Sequence, residues 1–300
     1  MPTSIRGSVM KQKQLDSPSA TIKIITRRCV PPNLVAGGLI VLIVIFVAVA
    51  APFIAPYPYD EFHTDARFQP PSQTYWFGTD EFGRDVFSRV LMGARVSLFM
   101  GIFATLVSLA VGVPLGLVAG YYKGRADELI MRTMDLFMSF PPIILGLLIL
   151  TVTPPNIWKT AGAVGVVYIP AIVRVTRSVT LDLMGEEFIL AALARGERAA
   201  YILAVEILPN AWPPIIVEGS LRITFAILLG AALSFLGMGA QPPSSDWGLL
   251  ISEARSFIDV APWIALAPGI AMCVTVIGIN LLGDGLRVLL DPRLRYRGHL

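Results

Sequence analysis

Four stretches of this chain run about the width of a membrane without a charge: Leu34 to Pro56, Val96 to Tyr122, Leu136 to Thr153 and Val260 to Gly283. A helix of roughly 20 apolar residues crosses the hydrocarbon core, where an unpaired charge is costly, so such runs are read as spans. They constrain the chain to an all-α integral membrane protein. An apolar share of 55% against 15% charged residues in 300 agrees, since ordinary soluble domains are less apolar.

Two further spans are less clean. Lys159 to Val175 is short, contains Pro170 and requires the Lys159 stem to snorkel outward. Trp212 to Met238 is long enough but carries Glu218 and Arg222 near its first end. Six transmembrane helices are therefore expected. The division is a tail over 1–33, a first span over 34–56, an outer segment over 57–95, a five-span core over 96–284 and a tail over 285–300.

The basic residues orient these spans. With both termini cytoplasmic, the inner segments hold 17 Lys and Arg and the outer segments six, with Arg222 left inside the fifth span. That bias follows the positive-inside rule. The net charge of +3 thus reflects membrane orientation, and no nucleic-acid partner is expected. A polar leader with Arg27 and Arg28 precedes an apolar run longer than a secretory h-region, which suits an uncleaved anchor. Cys29 and Cys273 lie beside or within spans, without metal-ligand spacing, and read as small apolar residues.

In the second span Gly112, Gly116 and Gly120 recur every four residues, which leaves one helix face bare for close packing. A seam within the same subunit is the simpler reading, a dimerisation face the other. The spans hold no string of intramembrane acids or His, which disfavours a proton-coupled carrier. No G-x-x-x-x-G-K-[ST] occurs, and neither His63 nor His299 has a second His or Cys at ligand spacing. No cofactor or metal is expected on this chain. An intramembrane enzyme would need a Ser-Lys, Asp-Asp or His/Glu grouping at membrane depth, and none is visible.

Between the fourth and fifth spans lies a polar island, Leu183 to Asn210. Glu186 to Arg195, Glu187 included, reads as a short amphipathic segment in which Phe188, Ala191, Ala192 and Arg195 fall at helical spacings of three and four, so one shared face is expected. Gly196 can break the helix, and Leu208-Pro209 is expected to close a second segment, because Pro cannot continue the ordinary ladder without strain. Such a pair suits a grip by a second protein or a helix lying on the membrane surface.

The island resembles the EAA loop of ATP-binding-cassette importer permeases: Glu-Ala-Ala, three residues, Gly, then a later Leu-Pro. Leu190, Ala191, Ala192, Gly196, Leu208 and Pro209 stand at those positions, with Leu190 replacing the leading Glu and Glu186 and Glu187 one turn earlier. FGTDEFGRDVFSR (Phe77 to Arg89), GARVSL (Gly93 to Leu98), GLVAGYYKGRAD (Gly116 to Asp127), SFPP (Ser139 to Pro142), ILPNAWPP (Ile207 to Pro214), LSFLGMGAQPPSSDWG (Leu233 to Gly248) and NLLGDGLRVLLDPRL (Asn280 to Leu294) are similar to C-type permeases of dipeptide, oligopeptide and nickel importers.

The resemblance implies the type I importer permease fold with cytoplasmic EAA coupling helices. It also implies an inner-membrane heterodimer with a homologous permease, two ATPase subunits that carry ATP and Mg, and a periplasmic or lipid-anchored solute-binding protein. Glu187, Phe188, Ala191, Ala192, Arg195, Gly196, Leu208 and Pro209 become the expected ATPase-coupling set. Peptides, nickel chelates, glutathione and other small solutes remain open as cargo, and an ion-gradient carrier remains the other transport class.

Asp80, Arg84 and Asp85 either order the segment before the second span or meet the binding protein. Trp76 and Trp247 suit an interfacial location. Gly237, Gly239, Pro242 and Pro243 are expected to shape the turn out of the fifth span. Glu218 and Arg222, four apart with the acid first, suit a helical ion pair. They are either a pair snorkelling at the inner interface or, with Asn280, polar contacts along the translocation path.

Overall fold

The computed structural model describes residues 31–152 and 154–290. The expectations for the first tail up to residue 30, Cys29 included, and for residues 291–300, His299 included, lie outside them.

Ten helices make up the described chain, in the order α1 (Pro32–Ile54), α2 (Val86–Tyr122), α3 (Gly124–Met138), α4 (Pro142–Leu150), α5 (Ile157–Leu183), α6 (Glu187–Ala194), α7 (Ala199–Tyr201), α8 (Leu208–Phe235), α9 (Trp247–Ala254) and α10 (Trp263–Leu290). Five stretches are long and apolar enough to cross a membrane, and a bent pair brings the number to six. The bent pair corrects the third expected span. Leu136 to Thr153 is not one helix: α3 ends at Met138, α4 starts at Pro142, and their axes meet at 92°. Pro141 causes the break, because its ring pushes the preceding residue out of the helical region and it has no N–H for the ladder.

The fourth span is longer than expected, reaching Leu183 instead of Val175. Arg174 and Arg177, which marked the expected limit, are paired with α3: Arg177 Nε and Nη2 donate to Asp127 at 2.5 and 2.6 Å, and Arg174 Nη2 donates to Asp135 at 2.6 Å. The helix thus continues past the apolar run, with both charges held by α3. The second span begins ten residues early, inside the segment read as an outer loop. Asp85 caps it, accepting from Ser88 N at 2.8 Å and Ser88 Oγ at 2.6 Å. At 37 residues α2 is about 55 Å long, more than the hydrocarbon core needs, so one end stands in polar surroundings.

The glycine seam is internal to the chain. A Cβ on Gly112 would lie 2.7 Å from Ile172 Cβ, one on Gly116 2.6 Å from Thr176 Cβ, and one on Gly120 2.6 Å from Thr180 Cβ. All three partners sit on α5, so bare α2 backbone meets a matching four-residue row. α1 rides on α10 by the same device, with Gly37 against Leu282 and Gly278 against Ile40. The opposite face of α1 is exposed, with Leu39, Leu42, Phe46, Val49 and Phe53 turned outward, while Ala48 and Ala51 are buried.

Residues 57–85 and α9 form a cap at one end of the bundle. Asp80 is fully buried and accepts from Arg84 Nε at 2.6 Å, Arg89 Nη1 at 2.7 Å and the Arg84 N–H at 2.9 Å. Glu253 of α9 takes the other sides of both guanidinium groups, 2.8 Å from Arg89 Nη2 and 3.3 Å from Arg84 Nη2. Asp80, Arg84 and Asp85 therefore order the segment before α2. Trp247 is corrected too. It is buried at 2% exposure, with Nε1 donating to Val90 O at 3.0 Å, whereas Trp76 is exposed. Gly237, at φ +81°, ends the fifth span as expected of its turn.

Candidate functional site

At the other end of the bundle, opposite the cap, the island emerges from α5 and returns into α8. α6 is two-sided. Ile189 and Ala192 are fully buried, packed with Ile202, Ile207, Ala211 and Ile215 against Val113, Leu117 and Ile172. Glu187, Phe188, Leu190, Ala191, Leu193 and Arg195 are exposed. The expected shared face of Phe188, Ala191, Ala192 and Arg195 is thus divided. Ala192 belongs to the buttress, because it lies three residues from Ile189 on the apolar row.

Gly196 closes α6 as a left-handed cap at φ +73°. Its N–H donates to Leu193 O at 3.0 Å and the Glu197 N–H to Ala192 O at 3.2 Å, the Schellman pairing that satisfies the last carbonyls. Arg195 does not extend freely: its guanidinium lies 3.4 Å from Glu197 Oε1 and 3.7 Å from Glu206 Oε1, linking the first segment to the second.

Leu208-Pro209 does not close the second segment. Residues 199–235 are continuous, with a π-helical turn over Ile202–Ile207 feeding α8. The wider turn, in which Leu208 N–H donates to Leu203 O, accommodates a proline ring that would press on the carbonyl four residues back in an α-helix. Asn210 Nδ2 also donates to Glu206 O at 2.7 Å. The second segment of the loop and the fifth span are one continuous rod.

Glu218 and Arg222 form their pair, Nη2 to Oε1 at 2.8 Å, each side chain 17% exposed. Arg222 lies about 21 Å along α8 from its first residue, Leu208. Its guanidinium sits 4.9 Å from the Phe225 ring centre and 5.4 Å from that of Tyr168 on α5. Tyr168 went unnoticed in the sequence, where 54 positions separate it from Arg222. Phe225, three residues on, was legible as a helical neighbour. Asn280 is elsewhere: Thr224 Oγ1 donates to its Oδ1 at 3.1 Å across the α8–α10 seam, so the three pathway candidates do not form one site.

Residues 112–296 match the family described as binding-protein-dependent transport system inner membrane component, and residues 32–71 match the N-terminal TM domain of oligopeptide transport permease C. The chain is 43% identical over 261 residues to the dipeptide transport system permease protein DppC of Alkalihalophilus pseudofirmus, covering 87% of this chain and 86% of that one. It is 44% identical over 262 residues to the glutathione transport system permease protein GsiD of Pectobacterium atrosepticum, covering 87% of each. A chain of the MetNI methionine ABC transporter in an inward facing conformation shares the fold, with a TM-score of 0.58 at 17% identity over 68% of this chain and 97% of that one. The chain therefore belongs to the family of inner-membrane components of binding-protein-dependent transport systems, as a multi-pass permease of an ATP-binding-cassette importer.

Proposed function

We propose that this chain forms half of the membrane pathway for di- or oligopeptides, beside a homologous second permease. Two ATPase subunits holding ATP and Mg dock on the 183–210 loop, and a periplasmic or lipid-anchored binding protein delivers the solute to the cap. Both termini then face the cytoplasm, as the distribution of Lys and Arg favours. The observation that carries the reading is the two-sided α6. Its inner face is locked into the α2, α5 and α8 packing, while Phe188, Leu190 and Leu193 present large apolar side chains outward. A surface helix so anchored transmits a push to the spans, and the unbroken rod from 199 to 235 supplies the lever. Glu187 and Arg195 frame the exposed face, Gly196 sets its turn, and Leu208 and Pro209 lie where the rod passes from loop to span. The peptide assignment is supported by the named relatives, among which dipeptide and glutathione systems both occur.

The test is uptake by vesicles carrying the whole purified complex. Two ATPases co-eluting with the permeases, and peptide accumulation that stops without ATP, are expected. Uptake by the isolated chain under an ion gradient would sink the reading.

A further inference from the structure

Ionisable side chains within a membrane-spanning helix are uncommon and usually functional, so the Glu218–Arg222 pair of α8 invites a functional account. We propose that Arg222 receives the carboxylate of the transported solute while Glu218, its counter-ion at rest, receives the ammonium group. The inference rests on the peptide reading above and narrows it to zwitterionic solutes.

The pair is bonded more sparingly than the buried bridges of the cap and the bidentate bridge between α3 and α5. Arg177 meets Asp127 through two nitrogens on two oxygens, and Arg89 spreads its donors over Asp80 and Glu253. Arg222 instead meets Glu218 in one charge contact through Nη2, and its Nε, like that of Arg89, is buried without a hydrogen-bond partner. A guanidinium offers five N–H donors in a fixed fork that fits a carboxylate through two parallel bonds. The Tyr168 and Phe225 rings fix its position, so an incoming carboxylate meets an oriented fork.

The site can be reached. Both side chains keep 17% exposure and border an outward stripe of α8 that includes Ile216, Phe225 and Leu228. Charge balance selects the ligand. A zwitterion replaces one internal pair by two intermolecular ones and leaves the site neutral, whereas an anion or a cation adds an uncompensated charge within the span.

The test uses the complete complex in vesicles with ATP, loaded binding protein in excess and radiolabelled Ala-Ala as probe. The double variant E218Q/R222Q keeps shape while removing both charges. It is expected to assemble in wild-type yield and retain binding-protein-stimulated ATP hydrolysis, but to take up Ala-Ala at least about tenfold more slowly, near the worth of one charge-assisted contact. The reversed pair E218R/R222E is expected to recover part of that uptake, because a zwitterion can bind it in the opposite sense. Uptake by E218Q/R222Q within about twofold of wild type would overturn the proposal. Loss of assembled complex in E218Q/R222Q that the reversed pair restores would overturn it too, and would assign the pair to subunit packing. A wild-type complex that accumulates no peptide under ATP would instead defeat the peptide reading, and this inference with it.

Discussion

The cap and the middle of α8 use the same chemistry to opposite ends. In the cap, Asp80, Arg84, Arg89 and Glu253 surround one another at 2.6 to 3.3 Å, and the two arginines and Asp80 are almost wholly out of solvent. Arg89 Nε and Arg222 Nε both lack a partner, but in α8 one arginine meets one glutamate through a single nitrogen at 2.8 Å and both side chains keep 17% exposure. A saturated cluster fixes a segment, because any new arrangement must break bonds already made. An unsaturated pair can exchange partners.

The largest effect is expected from breaking the saturated side. Asp80→Ala leaves two buried guanidinium groups short of an acceptor, which should cost about 3 to 5 kcal/mol and collapse the yield of folded complex. A folded variant within about 1 kcal/mol of wild type in a denaturation series would show that the cap is not a lock. Next comes the α2–α5 seam. Gly116→Val places methyl groups against Thr176 and the Val173 carbonyl, where a Cβ alone already meets atoms at 2.6 and 2.8 Å. A loss of about 1 to 3 kcal/mol is expected, visible as a lowered melting temperature in detergent. Removing the unsaturated pair with E218Q/R222Q should change stability by less than about 1 kcal/mol, since replacing a whole pair can be near neutral. A large loss would place it with the cap.

The smallest effect is the pH response of the cap. Burial holds the Glu81 and Asp246 carboxyls above the ordinary carboxylate range. The folded cap then keeps protons that the unfolded chain has released. Between the ordinary carboxylate value and the raised folded one, stability therefore falls as pH rises. Melting temperatures measured upward from about pH 4 should decline gently, and Asp246→Asn should flatten the decline. A wild-type rise over that window would contradict the assignment.

The sequence makes the contrast only half legible. Apolar runs located α1, α2 and α10 because hydrophobicity alone decides a span, and the Gly112, Gly116 and Gly120 spacing disclosed the α5 seam. The α3–α4 break was hidden inside an apolar run although Ser139-Phe140-Pro141-Pro142 stood in view, because hydropathy is blind to a missing N–H. Trp247 misled because an indole suits either an interface or a buried site with an acceptor, and only the fold brings up the Val90 carbonyl. Ala192 misled because a helical face has no sign until its neighbours are placed. Tyr168 reaches Arg222 across two helices, and no local pattern reports that.

The central claim is that α6 and the rod running into α8 carry the stroke of the ATPases into the spans. Gly196→Pro tests it most directly, because the left-handed backbone at φ +73° is closed to proline and the turn that presents α6 is lost. The quantity to measure is peptide taken up per ATP hydrolysed by the reconstituted complex. The account predicts a fall of about tenfold or more with hydrolysis continuing and complex yield preserved. A wild-type ratio in that variant would contradict it.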